Sequence, residues 1–157
     1  MSQFSWLTFT GSLTERMEAV SGERLNVEIL AEGMQPVLHD ERLCLESPAR
    51  AWAWVREVRL SIAGVPWLMA RTVIPNASMK GEVNRLRLLG NRPLGPVLFH
   101  RLKAERREID FDYVAKARWS SVSWPSALWC RRSLFYINHA PLLLKELFLP
   151  DHPLYSE

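Results

Sequence analysis

The chain is short of cysteine. Only Cys44 and Cys130 occur in 157 residues, and neither has metal-type spacing around it. That argues against a disulfide framework or a zinc site, and points to two free thiols in a reducing compartment, the cytoplasm. Long apolar runs are absent too. Nothing approaches the roughly 20 residues of a membrane span, and the opening Met-Ser-Gln-Phe-Ser-Trp lacks a basic and then apolar leader pattern. Net charge is only +3, with the two signs interspersed. This is too mild for a nucleic-acid footprint, so the clusters Arg101 to Arg107 and Arg131-Arg132 are expected to be solvated faces. No glycine-rich phosphate loop, Gly-x-Ser-x-Gly or His-Glu-x-x-His motif occurs, and His39, His100, His139 and His152 are scattered. Phosphate-loop chemistry and motif-borne nucleophile or metal hydrolysis are therefore not supported.

What is present is a core. Apolar residues make up 48% of the chain and seven are tryptophan, enough for one domain with a dense interior or an aromatic-lined cavity. The pattern centres on Trp52 to Pro75, which reads as a hairpin reversing at Ala63-Gly64. On the first arm Trp52, Trp54, Arg56, Val58, Leu60 and Ile62 fall on one face. Arg56 thus stands inside an apolar set. The second arm repeats the anomaly, with Trp67, Met69, Arg71 and Val73 sharing a face. A buried guanidinium cannot shed its charge and needs an anion. Two readings follow: a carboxylate-binding pocket, or a buried salt bridge plus an arginine reaching past the sheet edge.

Around this hairpin, Ser12-Leu13-Thr14-Glu15 reads as a capping box opening a helix with Leu13, Met17 and Val20 on one side and Gly22 at its end. Arg24 to Leu30 alternates as a strand, Glu32-Gly33 reads as a turn, and Gln35 to Pro48 as a short strand. Asn76 to Leu89 reads as a turn and a helix with the stripe Val83, Leu86, Leu89. Arg92-Pro93-Leu94-Gly95-Pro96 is a constrained loop, and Val97 to Leu102 a helical turn. Glu108 to Val114 is a half-exposed strand whose acidic side is expected to face solvent rather than hold metal. Ala115 to Ala127 reads as a loop or lid. A second hairpin, Trp129 to Ile137 and Pro141 to Leu149, places Glu146 among Leu142, Leu144 and Phe148. A run of hairpins with few helices predicts an α+β fold, an antiparallel sheet with helices packed on one side.

The block Arg56 to Pro75 resembles the central hairpin of bacterial chorismate pyruvate-lyases. Leu89 to Phe99, Leu128 to Ser133 and Pro141 to Tyr155 are similar to further blocks of that family in the same order, and Ser12 to Gly33 matches more weakly. The resemblance implies a single chorismate lyase-like domain over 1–157, with flaps over an enclosed ligand cavity. It implies removal of pyruvate from chorismate to give 4-hydroxybenzoate, the first committed step of ubiquinone biosynthesis. It also implies no metal, no organic cofactor and a monomer.

By position, Arg56 matches the family's ligand-binding arginine and Glu146 its active-site glutamate, the two expected catalytic residues. Leu94 matches the loop leucine whose backbone meets the ligand, and Leu13 stands where the family has a ligand-contacting methionine. Arg71, from the Arg-Thr-Val block, is expected as a second anion contact, and Ala70 replaces the usual glycine before it. The alternative class is a non-catalytic domain of the same fold that binds aromatic carboxylates, as in transcription regulators. The absence of a helix-turn-helix in the eleven residues before Ser12 weighs against a regulator.

Overall fold

The computed structural model describes residues 3–115, 117–118, 123–124 and 126–156. Its strands are β1 (Leu25–Pro36), β2 (Trp52–Ile62), β3 (Val65–Pro75), β4 (Glu105–Val114), β5 (Ala117–Arg118), β6 (Ser123–Trp124), β7 (Leu128–Ile137) and β8 (Ala140–Phe148). Six form one sheet in the order β1-β2-β3-β8-β7-β4, antiparallel throughout, while β5 and β6 pair separately. The fold is α+β, as the periodicity predicts. Both hairpins turn through residues with positive φ: Ala63 (50°) and Gly64 (81°), then Asn138 (48°) and His139 (68°). Such turns match the strand twist, which fixes the register of each arm.

One face of the sheet carries α1 (Gln3–Leu7), α2 (Leu13–Ser21) and α4 (Leu94–Pro96), which runs on into a π-turn over Val97–Arg101. Trp6, Leu7, Leu13, Met17, Leu94 and Leu98 pack there on Val58, Leu60, Leu144 and Phe148. Each fully buried side chain of this size contributes about 1.5–3 kcal/mol relative to exposure. Val83, Leu86 and Leu89 are buried in the same core. Their spacing of three suits the 3₁₀ helix Gly81–Leu88 that replaces the expected α-helix.

Three further expectations are corrected. Glu32 and Gly33 do not turn. They continue β1 opposite Arg56 and Val55, after a bulge between Ile29 and Ala31 that resets the alternation. The segment read as a short strand at Gln35 to Pro48 instead contains a helix, α3 (His39–Leu45), whose Glu41 carboxylate accepts from the Leu38 N–H at 3.0 Å. Helices do not all lie on one side either. α3 covers the opposite face, where Leu45 packs on Val55, Val73 and Leu143. Within the expected loop or lid, residues 116, 119–122 and 125 lie outside the described residues.

Candidate active site

The site is set by two rows of side chains across the sheet. Glu32, Arg56, Thr72, Leu144 and Ser133 pair in register along one row. Val58, Ala70, Glu146 and Arg131 form the next. Paired residues share a face, so Arg56, Glu146 and Arg131 all point under α2 and α4. Arg56 and Glu146 are two strands apart, about 10 Å across the sheet. They line one cavity of about 30 Å³ with Ser12, Leu13, Leu94, Phe99, Arg106 and other residues. That volume holds a water or two. A six-membered ring does not fit in that volume.

Arg56 is 2% exposed. Its Nη2 donates to the carbonyls of Gly90 (3.0 Å) and Arg92 (2.7 Å), which pins the loop leading into α4. Its Nε is buried, and among the described residues it has no partner and the guanidinium has no carboxylate within ion-pairing distance. Burial lowers this guanidinium's pKa below the ordinary arginine value, and the Glu32 charge offsets only part of that. It is a cation held in place by backbone carbonyls.

Glu146 is buried too, and Arg131 grips it through Nε (2.9 Å) and Nη2 (2.8 Å), both on Oε1. Its Oε2 makes no hydrogen bond among the described residues. Arg131 Nη1 donates to the Phe9 carbonyl (2.6 Å), tying the α1–α2 link across the cavity. The first turn of α2 reaches the same space. Ser12 caps it, accepting from the Glu15 N–H at 3.4 Å, so half of the capping box forms. The Glu15 carboxylate instead meets His100 Nε2 at 2.8 Å, joining the two covering segments from outside. Leading amides of a helix have no intrahelical partner and sit at its positive end. Those of Leu13 and Thr14 thus add anion-binding capacity to the cavity wall. Gly95 meets this turn so closely that a Cβ there would collide with Ser12 Oγ and stand 2.9 Å from Thr14 Oγ1.

The structure brings Leu13, Arg56, Leu94 and Glu146 together, with Ala70 in the wall. It does not bring Arg71. Register pairs Arg71 with Glu57 and Lys145, on the face opposite Arg56. There it is fully buried, with Nε and Nη2 on the two oxygens of Glu41 (2.6 and 3.1 Å) and Nη1 on Glu57 (2.7 Å). The expected anion contact is instead the core of a structural ion network that docks α3. Of the second reading, the buried salt bridge holds at Arg71, while Arg56 does not reach past the sheet edge but stays buried beneath the covering segments.

Two lining residues are not flagged by the reading of the basic clusters as solvated. Arg131 shares its strand face with Ser133, Phe135 and Ile137, the same signal as Arg56, but its neighbour Arg132 masks it as a surface doublet. Arg106 belongs to a segment of β4 that precedes a bulge between Arg106 and Glu108, so simple alternation does not reach it.

Comparison with known proteins gives one family. The chorismate lyase family model matches residues 1–157. The "Probable chorismate pyruvate-lyase" of Marinobacter nauticus is 43% identical over 145 residues, covering 92% of this chain and 74% of its own length. The chorismate pyruvate-lyase of Cronobacter sakazakii is 38% identical over 158 residues, covering 99% and 85%. Among solved structures, PhnF from Mycobacterium smegmatis superposes with a TM-score of 0.65 at 14% identity, over 92% of this chain and 66% of that one. A GntR-family transcriptional regulator from Bacillus cereus gives 0.59 at 10% identity, over 81% and 92%. At such identities these structures share the fold alone. The sequence matches go further, and the chain belongs to the chorismate lyase family.

Proposed function

We propose that this protein is a chorismate pyruvate-lyase, converting chorismate to 4-hydroxybenzoate and pyruvate for ubiquinone synthesis. The observation that carries the reading is Arg56, a buried guanidinium with no carboxylate of its own, facing the same cavity as Glu146. Chorismate brings what is lacking, because it is a dianion with two carboxylates, a ring hydroxyl and a vinyl ether. Loss of the enolpyruvyl group aromatises the ring, so the driving force lies in the substrate. The protein's part is to bind, to orient, and to stabilise charge that develops as the C–O bond breaks.

In this reading Arg56 takes one carboxylate through its open Nε side, and the amides near Leu13 and Leu94 support the bound anion. Glu146 Oε2 accepts a hydrogen bond from the ring hydroxyl. The hydrogen on the hydroxyl-bearing ring carbon must leave as the ether bond breaks. Glu146 is the one carboxylate among the lining residues, so a side-chain carboxylate base for this step would be Glu146. Transfer within the substrate, to the enolpyruvyl methylene, needs no protein base at all. Chorismate labelled with deuterium at that carbon distinguishes the routes, since internal transfer leaves the label in the methyl group of pyruvate.

The further readings are a single domain over 1–157, a monomer, and a cytoplasmic location. Six of the eight described strands form one sheet, no described helix is long and apolar enough to cross a membrane, and both cysteines are free thiols. The deciding experiment is incubation with chorismate, following 4-hydroxybenzoate and pyruvate together. Equal appearance of both supports the assignment. Folded protein that binds chorismate and releases neither overturns it in favour of a binding domain.

A further inference from the structure

One charge at the cavity beyond Arg56 is left without an assignment. Arg131 is neutralised by Glu146, but Arg106 stands beside that pair without a carboxylate of its own. Its Nη1 donates to the Thr10 carbonyl at 2.7 Å, and its guanidinium lies over the rings of Phe135 (4.7 Å) and Phe99 (5.5 Å). The remaining two nitrogens, Nε and Nη2, are buried and unpartnered among the described residues. Burial, with the nearby Arg131 charge, pulls its pKa down to about 10.

The geometry of the vacant edge is specific. Nε–H and the adjacent Nη2–H of an arginine form a fork that fits both oxygens of one carboxylate. This protein uses that same edge in Arg71, where Nε and Nη2 hold the two oxygens of Glu41. Arg106, which lines the cavity, has the same two nitrogens without a partner among the described residues. The ring stacking and the Thr10 contact hold the guanidinium plane in place, so the fork is formed before ligand arrives.

We propose that Arg106 is a substrate-binding residue whose Nε/Nη2 edge receives one carboxylate of the ligand, with Arg56 receiving the other. The cavity thereby selects a cyclic dicarboxylate over a monocarboxylate. Three lining cations less one lining anion leave two positive charges, from Arg56 and Arg106, which equals the charge of such a ligand. This rests on the proposed substrate class, but not on turnover.

The test is a ligand–residue cycle that needs no reaction. The probes are meta-(carboxyvinyloxy)benzoate, an aromatic dicarboxylate that cannot eliminate, and the two monocarboxylates made by deleting either of its carboxylates. Their affinities are measured by calorimetry for wild type and Arg106→Gln. The wild type should prefer the dicarboxylate to each monocarboxylate by at least tenfold. Arg106→Gln should lose that preference for one of the two deletions and keep it for the other. A variant whose preferences both stay within threefold of wild type overturns the proposal. Arg106→Lys, which keeps the charge but not the fork, decides the matter should the glutamine variant not fold: the same selective loss supports the fork, and unchanged preferences refute it. Failure of wild-type turnover with an intact cycle would remove the lyase reading and leave the dicarboxylate site standing.

Discussion

Replacing Glu146 by glutamine perturbs two things that must be separated. In the folded protein Arg131 is 1% exposed and its side chain is neutralised by one carboxylate. Removing one partner of a buried pair costs about 3–5 kcal/mol, because the other charge stays buried and uncompensated. Glutamine retains an acceptor oxygen for Nε or Nη2, so the lower end, about 3 kcal/mol, is expected. With a urea m-value of about 2 kcal/mol/M, the unfolding midpoint should fall by about 1.5 M. Arg131→Gln should cost about the same, and the double variant Glu146→Gln/Arg131→Gln no more than either single one, giving a coupling of about 3 kcal/mol in the double-mutant cycle. A midpoint within about 0.25 M of wild type, with no coupling, would refute the claim that this pair matters to the fold. Activity is then read on protein shown to be folded. A loss of about 10²–10⁴ in turnover marks Glu146 as the base for the ring proton. A loss below tenfold marks transfer within the substrate.

Arg71→Met should destabilise by about 3–5 kcal/mol, since Glu41 and Glu57 become buried without a guanidinium; kcat/KM of the folded variant should stay within twofold, and a selective loss of activity would return Arg71 to the pocket. Gly95→Ala should raise the KM for chorismate at least tenfold and cost about 1–3 kcal/mol of stability, because the added methyl displaces the Ser12 turn from the cavity wall; unchanged kinetics in the folded variant would show that this turn does not shape the site. His152 is buried among Trp6, Trp67 and Phe148, its Nδ1 accepting from Leu154 N–H at 2.9 Å, and burial pushes its pKa down from 6.5 to about 3. The fold therefore favours neutral imidazole: stability is full above pH 6.5 and falls below it by about 1.4 kcal/mol per pH unit as the unfolded chain alone takes up the proton. Urea unfolding between pH 7.5 and 5 should show that slope in wild type and lose it in His152→Asn; equal slopes would contradict it.

Much of this was legible in the chain because a strand converts order into facing. Arg56 and Glu146 stand out as charges inside period-two apolar sets, and both line the cavity. Alternation says nothing, however, about which face of one arm meets which face of the next. That depends on register, and here the bulge between Leu60 and Ser61 adds a residue on the β3 side. Trp67 therefore packs with the core beneath α2, while Arg71 goes to the far face with Glu57. The α3 helix was hidden for another reason. Glu41, which the segment supplies to Arg71, is a buried residue that looks like surface in a stretch with three charges in a row. Arg106 was hidden by a bulge and by the arginines around it.

The two faces of the sheet treat the same problem in opposite ways. Beneath α3, Arg71 and Lys145 meet Glu41, Glu57 and Asp40 within the chain, so the charges are satisfied before any ligand arrives. Beneath α2 and α4 Arg131 has Glu146, while Arg56 and Arg106 have no carboxylate partner among the described residues. Arg56, Arg106 and Arg131 each donate to a backbone carbonyl of a covering segment: Gly90 and Arg92, Thr10, and Phe9. Those bonds draw the cover down over the cations, and the cover in turn excludes the water that would otherwise solvate them. In the proposed reading a ligand carboxylate would meet guanidiniums whose planes are already held by these backbone bonds, so little of its binding energy would go to reorienting them. On that reading the arrangement would tie closure to binding, because an anion that relieves the buried charges would also stabilise the cover that buries them.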